Sequence, residues 1–182
     1  MRKRSMMLTS AGAGALMFLL AAPAVAAPTD DTIVTFSVEA GSLDITAPPG
    51  PVDLGSAPPG GTLTGQLGIV SVSDTRGGAT SDWTASAYGT NFAAGALEIP
   101  PTAISYWSGP ATAGTGGGTV TPGQLAAVNA VPLNYFASPI TVFAHSGGTG
   151  GSTASWNPTL IINIPITAQI GDYSGTVTHS VV

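Results

Sequence analysis

Short apolar runs that alternate with polar residues, each closed off by glycine or proline, constrain this chain more than any other feature. In Val34-Thr35-Phe36-Ser37-Val38 the apolar side chains recur at every second position, the period of a strand with one buried face. Residues 67–73, 83–88, 104–107 and 140–143 read as further strands, and Leu160, Ile162, Ile164 and Ile166 form one face of another. Pro165 lacks an amide donor, which predicts an edge or a bulge at the end of that strand. In the last run Tyr173, Val177, His179 and Val181 share one face, and Ser174, Thr176, Thr178 and Ser180 share the other. β-Branched residues fill both sets, as in a half-buried antiparallel strand.

Turn chemistry separates the runs. Ala47-Pro48-Pro49-Gly50 recurs as Ala57-Pro58-Pro59-Gly60, which predicts two similar loops around one short strand. Residues 114–118 and 147–151 are glycine-rich loops, and 124–129 has room for one turn of helix. Many short strands with Gly/Pro turns predict an all-β fold, an antiparallel β-sandwich of immunoglobulin-like type.

The N-terminus reads as an export signal. Arg2, Lys3 and Arg4 precede an apolar stretch over residues 11–22, too short to span a bilayer, and Ala24-Val25-Ala26 offers the small-x-small pattern of a cleavage site. The expected organisation is a signal peptide over 1–26 and one domain over 27–182, of 182 − 26 = 156 residues. That length suffices for a single core without disulfides, and the chain has no cysteine. No second segment is long and apolar enough to predict an integral membrane span.

Charge narrows the ligands. Three of the four basic residues lie in the leader, so the mature chain keeps Arg76 against nine carboxylates, and 1 − 9 = −8. Nucleic acid is excluded as a partner, because its binding draws on basic contacts to phosphate. Anionic wall polymers and anionic lipid are repelled. The expected ligand is a neutral sugar, a peptide, another protein, or an anion bridged by a divalent cation.

Catalytic patterns are missing. His145 stands just before a glycine loop and His179 lies within a strand, and no G-x-S-x-G elbow accompanies them, so both read as structural. Two isolated histidines and no cysteine predict no transition-metal site. Asp30-Asp31, Asp74 and Asp82 are candidate oxygen ligands for calcium, but the EF-hand spacing is absent, and no cofactor is expected. Gly116-Gly117-Gly118 lacks the lysine and the strand-to-helix context of a phosphate loop. No enzymatic activity is expected.

Aromatic residues carry the functional reading. Trp83, Trp107 and Trp156, with Tyr88, Tyr106 and Tyr173, have rings suited to stacking on sugars, although tryptophan in a small sandwich is usually core. Tyr106 and Trp107 are adjacent in a strand, so one of them faces outward, and the loop Ser108-Gly109-Pro110 follows. Both are candidate ligand contacts. Arg76, the one base of the mature chain, is a third, with pairing to Asp74 or Asp82 as its structural alternative.

Two stretches resemble a known family. Val72-Ser73-Asp74-Thr75-Arg76-Gly77 with Asp82-Trp83-Thr84-Ala85 is similar to the first half of the WxL domain. Residues 156–165 with Gly171-Asp172-Tyr173-Ser174-Gly175-Thr176-Val177-Thr178-His179-Ser180-Val181 are similar to its second half. The resemblance implies a secreted β-rich surface domain of Gram-positive bacteria, attached non-covalently to peptidoglycan and acting with other surface proteins. The name-giving residues depart from the pattern: Trp83 is kept, Ala85 replaces leucine, His179 replaces tryptophan and Val181 replaces leucine. Residues i and i+2 share a strand face, so the replacements keep the geometry and shrink the apolar payload; a buried His179 needs a partner. The expected function is therefore attachment to the cell envelope, through peptidoglycan or a surface complex. The alternative is a structural subunit that polymerises by exchange of its C-terminal strand.

Overall fold

The computed structural model describes residues 28–78 and 80–182, and the expected signal peptide and its cleavage site lie outside them. The chain divides into two units, Met1–Ser37 and Val38–Val182. Within the first, residues 28–37 form no strand and are exposed.

The second unit is built from antiparallel strands. In chain order these are β1 (Leu43–Thr46), β2 (Thr62–Gln66), β3 (Val70–Asp74), β4 (Trp83–Gly89), β5 (Phe92–Ala94), β6 (Leu97–Ile99) and β7 (Ile104–Trp107). There follow β8 (Ala111–Thr115), β9 (Thr119–Pro122), β10 (Val131–Pro132), β11 (Ile140–Ser146), β12 (Ser152–Trp156), β13 (Thr159–Asn163) and β14 (Val177–Val181). They form three four-stranded sheets, ordered β1-β3-β12-β8, β10-β7-β13-β2 and β14-β4-β11-β9, with β5-β6 as a separate hairpin. The fold is all-β, as expected. Among the described residues only short 3-10 turns interrupt it, at Pro101–Ala103 and Ala127–Asn129, the latter inside the window with room for a helical turn.

Alternation places the core. Trp83, Ala85, Ala87 and Gly89 point inward from β4 while Thr84, Ser86 and Tyr88 do not. Val70 and Val72 of β3, Ala154 and Trp156 of β12, and Ile104 and Tyr106 of β7 join them, with Leu133 and Leu160. In β11 the register against β4 shifts between Thr141 and Phe143. This bulge lets the consecutive Val142 and Phe143 both be buried. Phe143 then stacks on Trp156, with ring centroids 4.6 Å apart.

Five expected strands differ: residues 67–69 precede β3, Ile164 and Ile166 lie beyond the end of β13, and three others depart further. Residues 34–38 carry the strongest strand period near the N-terminus, yet they pair with no strand among the described residues, and Phe36 is 86% exposed. Residues 51–56, between the two proline loops, form no strand. Pro51 within it, with Pro58 and Pro59 just after it, cannot donate to a ladder, and this outweighs the apolar Val52 and Leu54. Gly50 and Gly60, which close the two loops, both take positive φ, which favours glycine. The C-terminal strand begins at Val177, so Tyr173 lies outside it and Ser174 makes only an isolated bridge to Ala93. Pro165 lies beyond the end of β13, which is a central strand.

Candidate functional site

The two motif stretches meet in space. β14 pairs with β4, and the register sets Val181 opposite Ala85 and His179 opposite Ala87. Ala85 is also opposite Phe143 on the other side. A small residue at 85 is therefore flanked by Phe143 and Val181, and the phenyl ring supplies apolar bulk that alanine lacks.

His179 has the partner that its burial requires. Trp156 Nε1–H donates to the Tyr106 hydroxyl at 3.2 Å, and that hydroxyl lies 3.1 Å from His179 Nε2. The hydroxyl that accepts from Trp156 keeps one proton and a second lone pair, so the direction of its bond with Nε2 follows the imidazole tautomer. Nδ1 is buried with no hydrogen-bond partner. Burial lowers the His179 pKa to about 4, and burial pushes the Tyr106 phenol up. Tyr106 in the core and half-buried His179 at its edge are both held neutral.

This corrects Tyr106 as a ligand contact. It is fully buried, and its hydroxyl is engaged on both sides. Of the adjacent pair Trp107 is the outer one; it is half-buried beside Gly109, and its Nε1 is enclosed without a partner. Arg76 is engaged internally. Its Nε and Nη2 each donate to Asp74 at 2.9 Å, and Nη2 also reaches the Asp82 carbonyl at 2.8 Å. The guanidinium holds the buried Asp74 carboxyl below its usual range. Asp82 accepts from the Gly147 amide at 2.7 Å. Arg76 is thus a clamp between the end of β3 and the start of β4, the structural alternative to ligand recognition. Trp83 stacks on His145 at 5.6 Å and donates to Ser152 at 3.3 Å. The His145 ring nitrogens face the carbonyls of Ser81 and Gly117, at 2.8 and 2.9 Å. No hydrogen bond or ring contact joins Arg76 to Tyr106 or Trp107 among the described residues.

A different surface gathers exposed aromatic rings. β4 ends at Tyr88 and Gly89, and the Gly89 amide bonds the Asn134 carbonyl at 2.8 Å, which holds the loop after β10 against the strand. Tyr135 and Phe136 follow, and both are exposed, Phe136 to 74%. The Phe136 ring meets half-buried Tyr88 edge-on at 5.2 Å. The Tyr135 hydroxyl donates to Asn91 Oδ1 at 2.6 Å, and Asn91 Nδ2 donates to Glu98 Oε2 at 2.8 Å. Together these residues line an open cleft of about 560 Å³. Aromatic faces beside a fixed amide and carboxylate are suited to a ring-shaped ligand with apolar faces and hydroxyl edges. The sequence pointed to Tyr88 but missed Tyr135, Phe136, Asn91 and Glu98. The pair Tyr135-Phe136 lies in no alternating run, and its closeness to Asn91 depends on pairing between distant segments.

Among the described residues no group of three or more His, Cys, Asp or Glu is placed to hold a metal ion. Among them too, no helix is long and apolar enough to cross a membrane. No family model and no curated protein matches the chain.

Proposed function

We propose that this chain is an exported surface module that attaches non-covalently to the cell envelope, with the cleft of Tyr88, Tyr135 and Phe136 as its contact to neutral glycan. The carrying observation is exposure. Phe136 at 74% and Tyr135 at 48% stand in water beside Tyr88, and large aromatic groups clustered in water mark a binding surface. The Asn91–Glu98 pair supplies directional polar groups. Glu98 and the mature charge of −8 disfavour anionic ligands, so peptidoglycan and other neutral envelope glycan fit better than acidic wall polymers. The N-terminal leader and the resemblance to the WxL domain support the same reading.

The test is co-sedimentation of the leader-free chain with purified peptidoglycan, with wall polymers stripped or retained, and with or without calcium. Saturable binding to stripped wall is expected, with an affinity loss of about tenfold in Phe136→Ala, for a ring that contributes 1–2 kcal/mol. Absence of binding in every arm, or binding that Phe136→Ala leaves unchanged, refutes the assignment of the cleft.

A further inference from the structure

The polar network beside the aromatic cleft has a fixed proton direction. A carboxylate only accepts hydrogen bonds, so the Asn91 amide turns Nδ2 toward Glu98 Oε2, at 2.8 Å, and leaves Oδ1 for the Tyr135 hydroxyl, at 2.6 Å. Each proton of this chain of bonds points toward Glu98. What the network offers a ligand is therefore mainly acceptors. The Tyr135 oxygen has spent its proton on Asn91, and Glu98 Oε1 accepts no hydrogen bond among the described residues.

The fold sets Glu98 in place. It lies on β6 opposite Ala93 of β5, and Ala93 exchanges backbone hydrogen bonds with Ser174 at 2.8 and 3.0 Å. Leu97 and Ile99 on either side are more deeply covered, so the alternation of the strand turns Glu98 outward.

Charge decides what such a group can take. Glu98 is the only carboxylate that lines the cleft, and no Lys, Arg or His lines it. The leader-free chain has one basic side chain besides histidine, Arg76, and its guanidinium is bonded to Asp74 and to the Asp82 carbonyl. No Lys or Arg of the leader-free chain is thus left to neutralise Glu98. A metal ion is a poor substitute, since calcium takes about six to eight oxygen ligands and the cleft supplies one carboxylate. An organic cation fits better. The faces of aromatic rings carry negative potential and attract such cations, and Tyr88, Tyr135 and Phe136 supply rings in the same cleft as Glu98.

We propose that the cleft selects sugar rings that carry a free ammonium group, the de-N-acetylated form of a hexosamine, over their N-acetylated counterparts. The apolar face of the sugar lies on the exposed rings of Tyr135 and Phe136, and its ammonium donates to Glu98 Oε1 and the Tyr135 oxygen. An acetamido group at the same position offers one N–H and no charge, so it leaves Glu98 unneutralised. The inference rests on the reading of the cleft as a glycan contact and names the class of sugar that the contact takes.

Titration of the leader-free chain with β-linked tetramers of glucosamine and of N-acetylglucosamine tests it, at a pH that keeps the amine charged. The glucosamine tetramer is expected to bind about fivefold more tightly, the worth of one exposed ion pair with a cation–π contact, and high salt narrows the difference. Glu98→Gln removes the charge and keeps an oxygen for Asn91 Nδ2, and the residue is exposed, so the fold is retained and the ratio of the two affinities falls to near one. Phe136→Ala weakens both tetramers. A ratio that Glu98→Gln leaves unchanged comes from the overall charge of −8 and overturns the proposal. A tetralysine peptide that competes as strongly as the glucosamine tetramer also overturns it, because the cation would then be read without the sugar. Equal binding of the two tetramers to the unmodified chain overturns this inference and leaves the glycan reading standing. Binding of neither overturns this inference whatever the co-sedimentation shows, and co-sedimentation alone then decides the glycan reading.

Discussion

His179 makes the stability of this domain depend on pH in a calculable way. Its ordinary pKa of 6.5 falls to about 4 in the fold because burial disfavours the imidazolium. The unfolded chain therefore binds a proton at a higher pH than the folded chain does. Between those values protons favour the unfolded state, so stability falls as pH falls. Above pH 6.5 the site has no such effect. At pH 5 the loss is about 2 kcal/mol, and below pH 4 it levels at about 3 kcal/mol, from 1.36 kcal/mol for each tenfold change. The loss arises from placing an imidazolium in a desolvated position, since burial is the cause of the shift. Asp74 works in the opposite direction and in another range. Its folded pKa is depressed, so its contribution is present above its ordinary value of 3.8 and is lost as pH falls through the folded value. Urea unfolding at pH 7.5, 6, 5 and 4, for the wild type and for His179→Leu, isolates the effect. The wild type loses about 3 kcal/mol more than the variant over this range. The variant is weaker at pH 7.5 by about 1 kcal/mol, because the Tyr106 hydroxyl loses its hydrogen-bond partner at position 179. Parallel pH profiles for the two proteins would refute the neutral imidazole held in the fold.

Core and loop positions give two further tests by denaturant unfolding. Phe143→Ala removes a fully buried ring that stacks on Trp156 and flanks Ala85, and a loss of about 3–5 kcal/mol is expected; a loss below 1 kcal/mol contradicts the packing. At Gly118, φ is +93°, and an added Cβ would stand 2.5 Å from the Gly147 carbonyl oxygen and 2.8 Å from His145 Nε2. Gly118→Ala therefore costs about 1–3 kcal/mol, whereas Gly95→Ala, at positive φ in open space, costs less; equal losses would show that backbone conformation alone, without the clash, sets the cost.

The cleft variant doubles as a control for both functional readings. Phe136→Ala is expected to stay within about 0.5 kcal/mol of the wild type in stability, because the ring stands largely in water. A larger loss would mean that the ring is structural and that weakened wall binding cannot be read as loss of a contact.

Period-2 alternation determined the strand class and much of the core by itself. A strand that buries one face writes that face into every second residue, and β4, β7 and β11 start where the alternation starts. Glycine and proline fixed the loops in the same local way, and the choice between Arg76 as clamp and Arg76 as ligand contact was posed, though not decided, by its closeness to Asp74 and Asp82 in sequence. Tertiary structure decided the rest. Residues 34–38 have the period of a strand but pair with no strand among the described residues, since pairing depends on a free ladder elsewhere in the chain and not on the segment itself. Which of Tyr106 and Trp107 faces the core follows from the register of β7 against β13, a relation between residues more than 50 positions apart. The meeting of His179 with Tyr106, and of Tyr135 with Asn91, spans 73 and 44 positions. No local pattern encodes such contacts, because hydrogen bonds and ring packing depend on distance in space, which the sheet order sets and the sequence states only in sum.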